Sequence, residues 1–409
     1  MIRLIECINY RCLRQIYQPL DSFQVLVGPN ASGKTTFLDV VSLLSDIVSE
    51  GIDHAITKRS SNYLDLTYAG AGGFVELAVE ANIPQKVIDL LPHTPFKAIR
   101  YEIQFGLDEK THEHVIHTER VHLISSTALN PNEKINDQTS FPFYRESATS
   151  FLDRKYSQGT IKKVIRKQSN DNFYPETAKE TSKGKGWMPS FKLGPKKSAL
   201  GNLPDDETKF PASTWFRNFL REGVQQFVLD SLNIRLASPP GQTKRFKPDG
   251  SNLPWVIEEL RNNHSKSFND WIHHIRTALS DIKDITTIER KDDRHRYLMV
   301  HYQNGMSIPS WLVSDGTLRL LALTIPAYLP DFDGVYLIEE PENGVHPKAI
   351  ETVFQSLSSV YNAQILLASH SPIMLSMVDY KQVLCFAKTD EGITDIVSGD
   401  NHPKLKDWK

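Results

Sequence analysis

The sequence predicts an α/β protein built around a phosphate-binding loop, and three observations carry that prediction. The run Gly28, Pro29, Asn30, Ala31, Ser32, Gly33, Lys34, Thr35 fits GxxxxGK[ST] and sits between an apolar stretch, Phe23 to Val27, and a helical pattern. Strand-like and helix-like patterns alternate through the closing third, as in a parallel sheet. Glu339, Glu340, Pro341 and Glu342 follow the apolar run Val335 to Ile338, and the carboxyl ends of buried strands are where α/β sheets bind ligands.

In order along the chain, residues 1–49 read as strand, turn, strand, loop, helix, with Ile2, Leu4 and Ile5 opening the first strand and Phe23 to Val27 feeding the loop. Phe74 to Val79, Ala98 to Phe105 and His114 to Leu123 cluster or alternate apolar residues like antiparallel strands. Residues 124–231 show no sustained period and read as an irregular insertion. Leu253 to Leu260 and Phe268 to Ile282 have helical spacing, followed by a hairpin pattern whose second turn is Asn304, Gly305. Thr317 to Tyr328 is predicted helical, Val335 to Ile338 a strand, Pro347 to Val360 a helix and Ala363 to Ala368 a strand. The expected division is therefore 1–123, an insertion 124–231, and 232–409.

The loop's residue types fit ATP and Mg²⁺. Glycines let successive amides curl around a phosphate, and the helix starting near Lys34 adds its positive dipole end. Lys34 is expected to reach the β/γ-phosphates, and the Thr35 hydroxyl to ligand Mg²⁺. Thr36, Phe37, Leu38, Val40, Val41 and Leu44 are the residues that would bury the helix. Of the acids, Glu339 is assigned to the metal shell and Glu340 to the water that attacks the γ-phosphate. His370 follows a second buried strand, where its imidazole can bond the γ-phosphate and that water. Ser369 and Ser371 lack the Asp partner and GxSxG elbow of nucleophilic hydrolases. Ser314, Asp315 and Gly316 open a helix and form a second anion cradle, or simply an N-cap.

The bulk composition narrows the partners. Lys+Arg 47 against Asp+Glu 49 gives no global field for nucleic acid or membrane. Cys7, Cys12 and Cys385 form no CxxC pair, which points to a reducing compartment, and the cytoplasm is expected. No apolar run approaches a membrane span, and the first residues alternate like a strand. One local excess stands out. From Arg154 to Lys197 there are twelve Lys/Arg (154, 155, 162, 163, 166, 167, 179, 183, 185, 192, 196, 197) and three acids (171, 176, 180), interleaved with Tyr156, Phe173, Tyr174, Trp187 and Phe191. This stretch, extended by Arg235, Lys244, Arg245 and Lys247, is a candidate for binding DNA, RNA or a protein partner, or a solvated face. His112, His114 and His117 cannot share one strand face and read as structural rather than metal ligands, and His273 and His274 carry no stronger claim.

Taken together, the loop, the Ser314/Gly316 helix start, the Ile338 to Glu342 strand end and His370 resemble the ABC-type ATPases, in that family's order of motifs. Within that group the chain resembles the RecF/SMC/Rad50/OLD branch and its short bacterial AAA-family ATPases found in phage-defence operons. Ile8, Asn9, Tyr10, Arg11; Asp249 to Leu253; Ser314 to Arg319; and Glu342 to Pro347 carry this closer likeness. The resemblance implies an ATPase head with a mixed sheet, an antiparallel β subdomain and a helical signature lobe, here with a basic irregular or helical insertion. It implies a homodimer sandwiching two ATP, with Ser314 and Gly316 of one subunit touching the γ-phosphate held by Lys34 of the other. Glu339 stands where many relatives have Asp, so slow turnover is expected.

Two functions from different classes fit this pattern. One is an ATPase that regulates a separately encoded effector, such as a nuclease, in anti-phage defence. The other is a RecF-like ATP-dependent DNA clamp in repair or recombination, and a non-catalytic ATP-gated scaffold is a variant of either. Long coiled-coil arms are not expected, because no heptads run over several turns.

Overall fold

The computed structural model describes residues 1–91, 95–125, 141–142, 150–157, 159–168, 172–175, 191–330 and 332–403. The chain forms two compact units: Met1–Ser22, Leu26–Val224 and Tyr380–Lys409 make the first, Phe23–Val25 and Gln225–Asp379 the second.

An eight-stranded antiparallel sheet dominates the first unit. Its strands are β1 (Ile2–Tyr10), β2 (Leu13–Pro19), β4 (Val75–Asn82), β5 (Phe96–Leu107), β6 (His114–Ser125), β7 (Ile161–Lys167), β8 (Asn172–Pro175) and β9 (Phe191–Lys192), in the order β2-β1-β4-β5-β6-β7-β8-β9. The strands expected near 74, 98 and 114 are present and antiparallel. The first 22 residues hold two strands rather than one, because Asn9 and Arg11 take the left-handed conformation that turns the chain at Tyr10. Strand β3 (Phe23–Val27) is shared by the division. In this unit it is followed by the helix Lys34–Glu50, and its sheet continues β3-β16-β17, where β16 is Val383–Lys388 and β17 Thr394–Ser398. Phe37 of the helix packs edge-on against Phe386 of β16, with centroids 5.6 Å apart.

One prediction needs correction. Within 124–231 the described residues are not irregular throughout: β7, β8 and β9 extend the sheet, and Pro211–Glu222 is a helix. Hydrophobic period is weakened here because charged and polar groups share the buried positions with apolar ones such as Val164 and Ile165. Lys167 is fully buried, its Nζ donating to the carbonyls of Pro195 (3.3 Å) and Lys197 (2.8 Å). The Glu119 carboxylate accepts from the amides of Ala199 (2.6 Å) and Leu200 (3.0 Å) and from Ser198 Oγ (2.7 Å). Such satisfied buried polar groups fix a turn that apolar patterning cannot signal.

The same sheet buries a charge cluster. Arg100 is fully buried and salt-bridges Glu6, Glu80 (2.9 Å) and Glu102 (2.6 Å), and Arg154 reaches Glu6 at 2.6 Å. Burial pushes the Glu102 carboxyl up, but the Arg100 charge outweighs it and holds the group below the usual carboxylate range. Beside them, burial pushes the His122 imidazole down to about 4. An unfolded histidine titrates near 6.5, so the unfolded chain takes up this proton first and stability falls as pH drops from 6.5 toward 4. At pH 5 the loss from His122 is expected to be about 2 kcal/mol. Below about 4 the depressed Glu102 adds a further loss, because its stabilisation is complete only above the unfolded carboxylate pKa. Urea midpoints at pH 7 and pH 5 measure this, and His122→Gln should narrow the gap.

The second unit contains the parallel pair β14 (Val335–Glu339) and β15 (Gln364–Ala368) in the order β10-β14-β15-β3, with β10 being Val224–Phe227. Phe23 packs edge-on against Phe354 of the helix Pro347–Ser358. A three-stranded antiparallel sheet, β11 (Ile282–Glu289), β12 (Arg296–Tyr302) and β13 (Ser307–Pro309), turns at Asn304–Gly305 as expected. The helices of this unit include Leu253–Asn263, Ser265–Ala278 and Asp315–Thr324; Ile282, expected to close the second of these, instead opens β11. Trp271, fully buried, donates its indole N–H to Thr324 Oγ1 at 2.9 Å and locks two helices together.

Candidate functional site

In the first unit the predicted loop residues Gly28, Pro29, Asn30, Ala31, Ser32, Gly33, Lys34, Thr35 and Thr36 join β3 to a helix that starts at Lys34. Two glycines are sterically required. A Cβ on Gly28 would lie 2.3 Å from the Phe386 carbonyl oxygen, and one on Gly33, at φ +104°, would lie 2.7 Å from Thr394 Oγ1. Thr394 in turn donates from Oγ1 to the Ser32 carbonyl at 3.0 Å, pinning the loop to β17. Lys34 is buried, and its Nζ donates to the carbonyls of Gly28 and Pro29, each at 2.9 Å, so the ammonium lies in the curl of the loop. Ser32 Oγ is buried without a hydrogen-bond partner among the described residues, which suits a site built to receive acceptor oxygens.

The residues near the start that carry the family likeness brace this loop's helix. Tyr10 donates its hydroxyl to Asp39 Oδ2, Arg11 pairs with the same oxygen at 3.3 Å, and Arg59 bridges Asp39 and Asp46, each at 2.7 Å. Asn9 donates to the carbonyls of Gly72 (3.0 Å) and Phe74 (2.8 Å). Tyr10, Arg11 and Arg59 thus hold the helix through Asp39 and Asp46, while Asn9 pins the neighbouring 72–74 backbone.

In the second unit the carboxylates, the histidine and the Ser314 helix start meet around one turn, residues 341–346. Glu339 ends β14 and accepts from Gln226 Nε2 at 3.4 Å. Glu340 is exposed and adopts φ +46°, a strained conformation for a side chain that turns the backbone out of the sheet. Its amide donates to the Ala368 carbonyl at 2.8 Å, and Asn343 donates to its carboxylate. The loop carrying His370 is held from the same turn: Glu342 Oε1 accepts from Ser369 Oγ and from the His370 amide, both at 2.8 Å. Ser314 caps the helix Asp315–Thr324, accepting from the Thr317 amide at 3.2 Å. A Cβ on Gly316 would lie 2.9 Å from the Gly344 carbonyl, so the helix start touches the turn backbone directly. Asp315 is paired with Arg235 at 2.5 Å. Arg235, expected to extend the basic stretch, instead braces the helix start.

Two contributors escaped sequence reasoning. Glu342 figures in the sequence only as one of the acids after the 335–338 run and in the family pattern, without a role, and its grip on the His370 loop is a long-range contact with no local signature. Gln226 lies on a strand the sequence did not predict. Glu342→Ala removes two bonds to a charged acceptor, each worth about 1.5–3 kcal/mol. If the site hydrolyses ATP as the motifs imply, kcat should fall tenfold or more with little change in KM, and Glu342→Gln, whose amide oxygen still accepts, should recover part of it.

As donors, Thr35 and Glu339 offer hard oxygens, the chemistry Mg²⁺ prefers. Among the described residues no group of three or more His, Cys, Asp or Glu could hold a metal by itself. His114 pairs with Asp53 at 3.0 Å, and His274 bonds Tyr328 Oη at 2.7 Å, so both have structural partners as expected. The basic stretch is only partly described: Lys179, Lys183, Lys185, Asp171, Glu176, Glu180 and Trp187, and the side chains of Phe173, Tyr174 and Phe191, lie outside the described residues. Of the rest, Lys167 is buried, Arg154 pairs with Glu6, and Lys196 pairs with Asp53 (3.1 Å) and Glu113 (3.0 Å). No helix among the described residues is long and apolar enough to cross a membrane.

Comparison with known proteins agrees with this reading of the fold. The Retron Vc95 probable ATPase of Vibrio cholerae serotype O1 biovar El Tor is 20% identical over 391 residues, which span 90% of this chain and 69% of that protein. Among solved structures, the SmcHead bound to the C-winged helix domain of ScpA aligns at a TM-score of 0.50 and 13% identity, covering 97% of each chain. The SMC head domain from Thermotoga maritima aligns at a TM-score of 0.45 and 10% identity, covering 97% of this chain and 98% of that one. On the first of these structural alignments the fold is the mixed α/β fold of an SMC-type ATPase head, the ABC-type architecture the motifs predict. A family model described as "AAA domain, putative AbiEii toxin, Type IV TA system" matches residues 23–376, most of the chain, and the protein belongs to that family of AAA-domain ATPases.

Proposed function

We propose that this protein is an ABC-type ATPase that binds ATP with Mg²⁺, dimerises around it and thereby controls a separately encoded effector in anti-phage defence. The observation that carries the reading is the loop 28–36, whose steric glycines, buried Lys34 and Ser32 hydroxyl without a partner among the described residues suit a polyphosphate. In this reading Gly28 to Gly33 wrap the phosphates, Lys34 offsets their charge, and Thr35 and Glu339 hold Mg²⁺. The metal supplies charge neutralisation at the transferring phosphoryl group. Glu340 orients and deprotonates the attacking water, and His370 bonds the γ-phosphate and that water. Ser314 and Gly316 complete the pocket of a second copy. Support for a face at this position comes from Trp311 and Leu312, exposed at 43% and 70% directly before Ser314. The defence role rests on the retron relative's name and on the family resemblance.

Light scattering with and without ATP·Mg²⁺ tests the dimer, which should double the 46.5 kDa mass only with nucleotide. A mass that stays monomeric at saturating ATP overturns it. The RecF-like clamp is the second reading, favoured by the exposed cations Lys155, Lys163 and Arg166.

A further inference from the structure

A pocket of about 590 Å³ opens on the antiparallel sheet of the first unit, within the size range of small-ligand sites. Five cations line it: Arg120, Arg154, Lys155, Lys163 and Arg166. Two of them are anchored, Arg154 to Glu6 and Arg120 by donating to the Leu152 carbonyl at 2.6 Å. Lys155, Lys163 and Arg166 are exposed and salt-bridged to no described residue. A cluster of like charges held around one cavity is repulsive and is relieved by an anion.

The remaining walls say which anion. His122 is 4% exposed, and its Nδ1 has no hydrogen-bond partner among the described residues, although it lines the pocket. Burial keeps this imidazole neutral at pH 7, so it calls for a neutral hydrogen-bonding group. Tyr156 lies edge-to-face with His122 at 6.0 Å, and its hydroxyl bonds Glu102 Oε1 at 3.3 Å, leaving the ring as its offering to the cavity. An acidic peptide would use the cations and leave the aromatic ring and the imidazole nitrogen unmatched. Phosphate, flat base and polar edge together match all three.

We propose that this pocket binds a nucleoside phosphate, with the phosphate on Lys155, Lys163 and Arg166 and the base against Tyr156 and His122. The site stands on the first unit's sheet and does not depend on the ATPase reading. The nucleotide is either free or one residue of a single strand.

Fluorescence anisotropy with a labelled twelve-residue oligothymidylate, without ATP or Mg²⁺, tests it. Lys163→Ala with Arg166→Ala should weaken binding about tenfold and lower the log–log salt slope by about 1.4. Lys192→Ala with Lys197→Ala removes equal charge outside the pocket and should leave the slope unchanged. Tyr156→Leu should weaken binding by about five- to a hundredfold through lost stacking. Displacement by thymidine monophosphate at equal nucleotide concentration identifies a free nucleotide as the source, and affinity that grows with oligomer length identifies a strand. Equal effects of the two charge pairs, no effect of Tyr156→Leu, or displacement by polyglutamate as effective as by oligothymidylate would each overturn the proposal.

Discussion

Lys34→Ala is expected to abolish ATP binding at micromolar concentrations and, with it, any nucleotide-dependent dimer. The side chain supplies the one ammonium inside the loop's curl, held there by the Gly28 and Pro29 carbonyls. Each charge-assisted bond it makes to a phosphate is worth about 1.5–3 kcal/mol, so losing two weakens binding by roughly two to four orders of magnitude. Isothermal titration with ATP·Mg²⁺ measures this directly. An unchanged affinity would mean that the loop is an ordinary strand-to-helix turn.

Glu340→Gln should separate binding from turnover. The amide keeps the size of the side chain and its bond with Asn343 but cannot take a proton, and general-base contributions are typically about 10²–10⁴-fold. We expect kcat to fall by that factor while ATP affinity holds, so that the dimer persists with ATP and no longer decays as ATP is consumed. Single-turnover phosphate release and light scattering read the two halves of the prediction. Hydrolysis at the normal rate would remove Glu340 from the role of base and assign that role to another group, whereas absence of turnover in the unsubstituted protein is what the non-catalytic scaffold requires.

Much of this molecule was legible in its sequence, where period and motif agree. Phe23 to Val27, the loop and the helix it feeds are local: a short apolar run, glycines at fixed spacing, then helical spacing. The β14 and β15 strands were equally plain because both faces are buried and their centres, Val335 to Ile338 and Ile365 to Ala368, are apolar. What the sequence hid is what depends on distant partners. Lys167 reads as surface charge and is buried under two carbonyls, and Glu119 reads as a strand's polar face and instead organises a turn eighty residues away. Strand β7 was missed for that reason. The roles of Tyr10, Arg11 and Glu342 were hidden likewise, each being a side-chain bond across the sequence to an acid or an amide.

The contact of Gly316 with the Gly344 carbonyl has a mechanical meaning. With no side chain between them, and with Glu342 clasping the segment of His370, the helix start, the acids and the histidine form one stiff block without a joint inside it. If the proposed dimer opens and closes, that motion must then pivot outside this block, and a bulky residue at 316 is expected to act as a wedge against the Gly344 carbonyl.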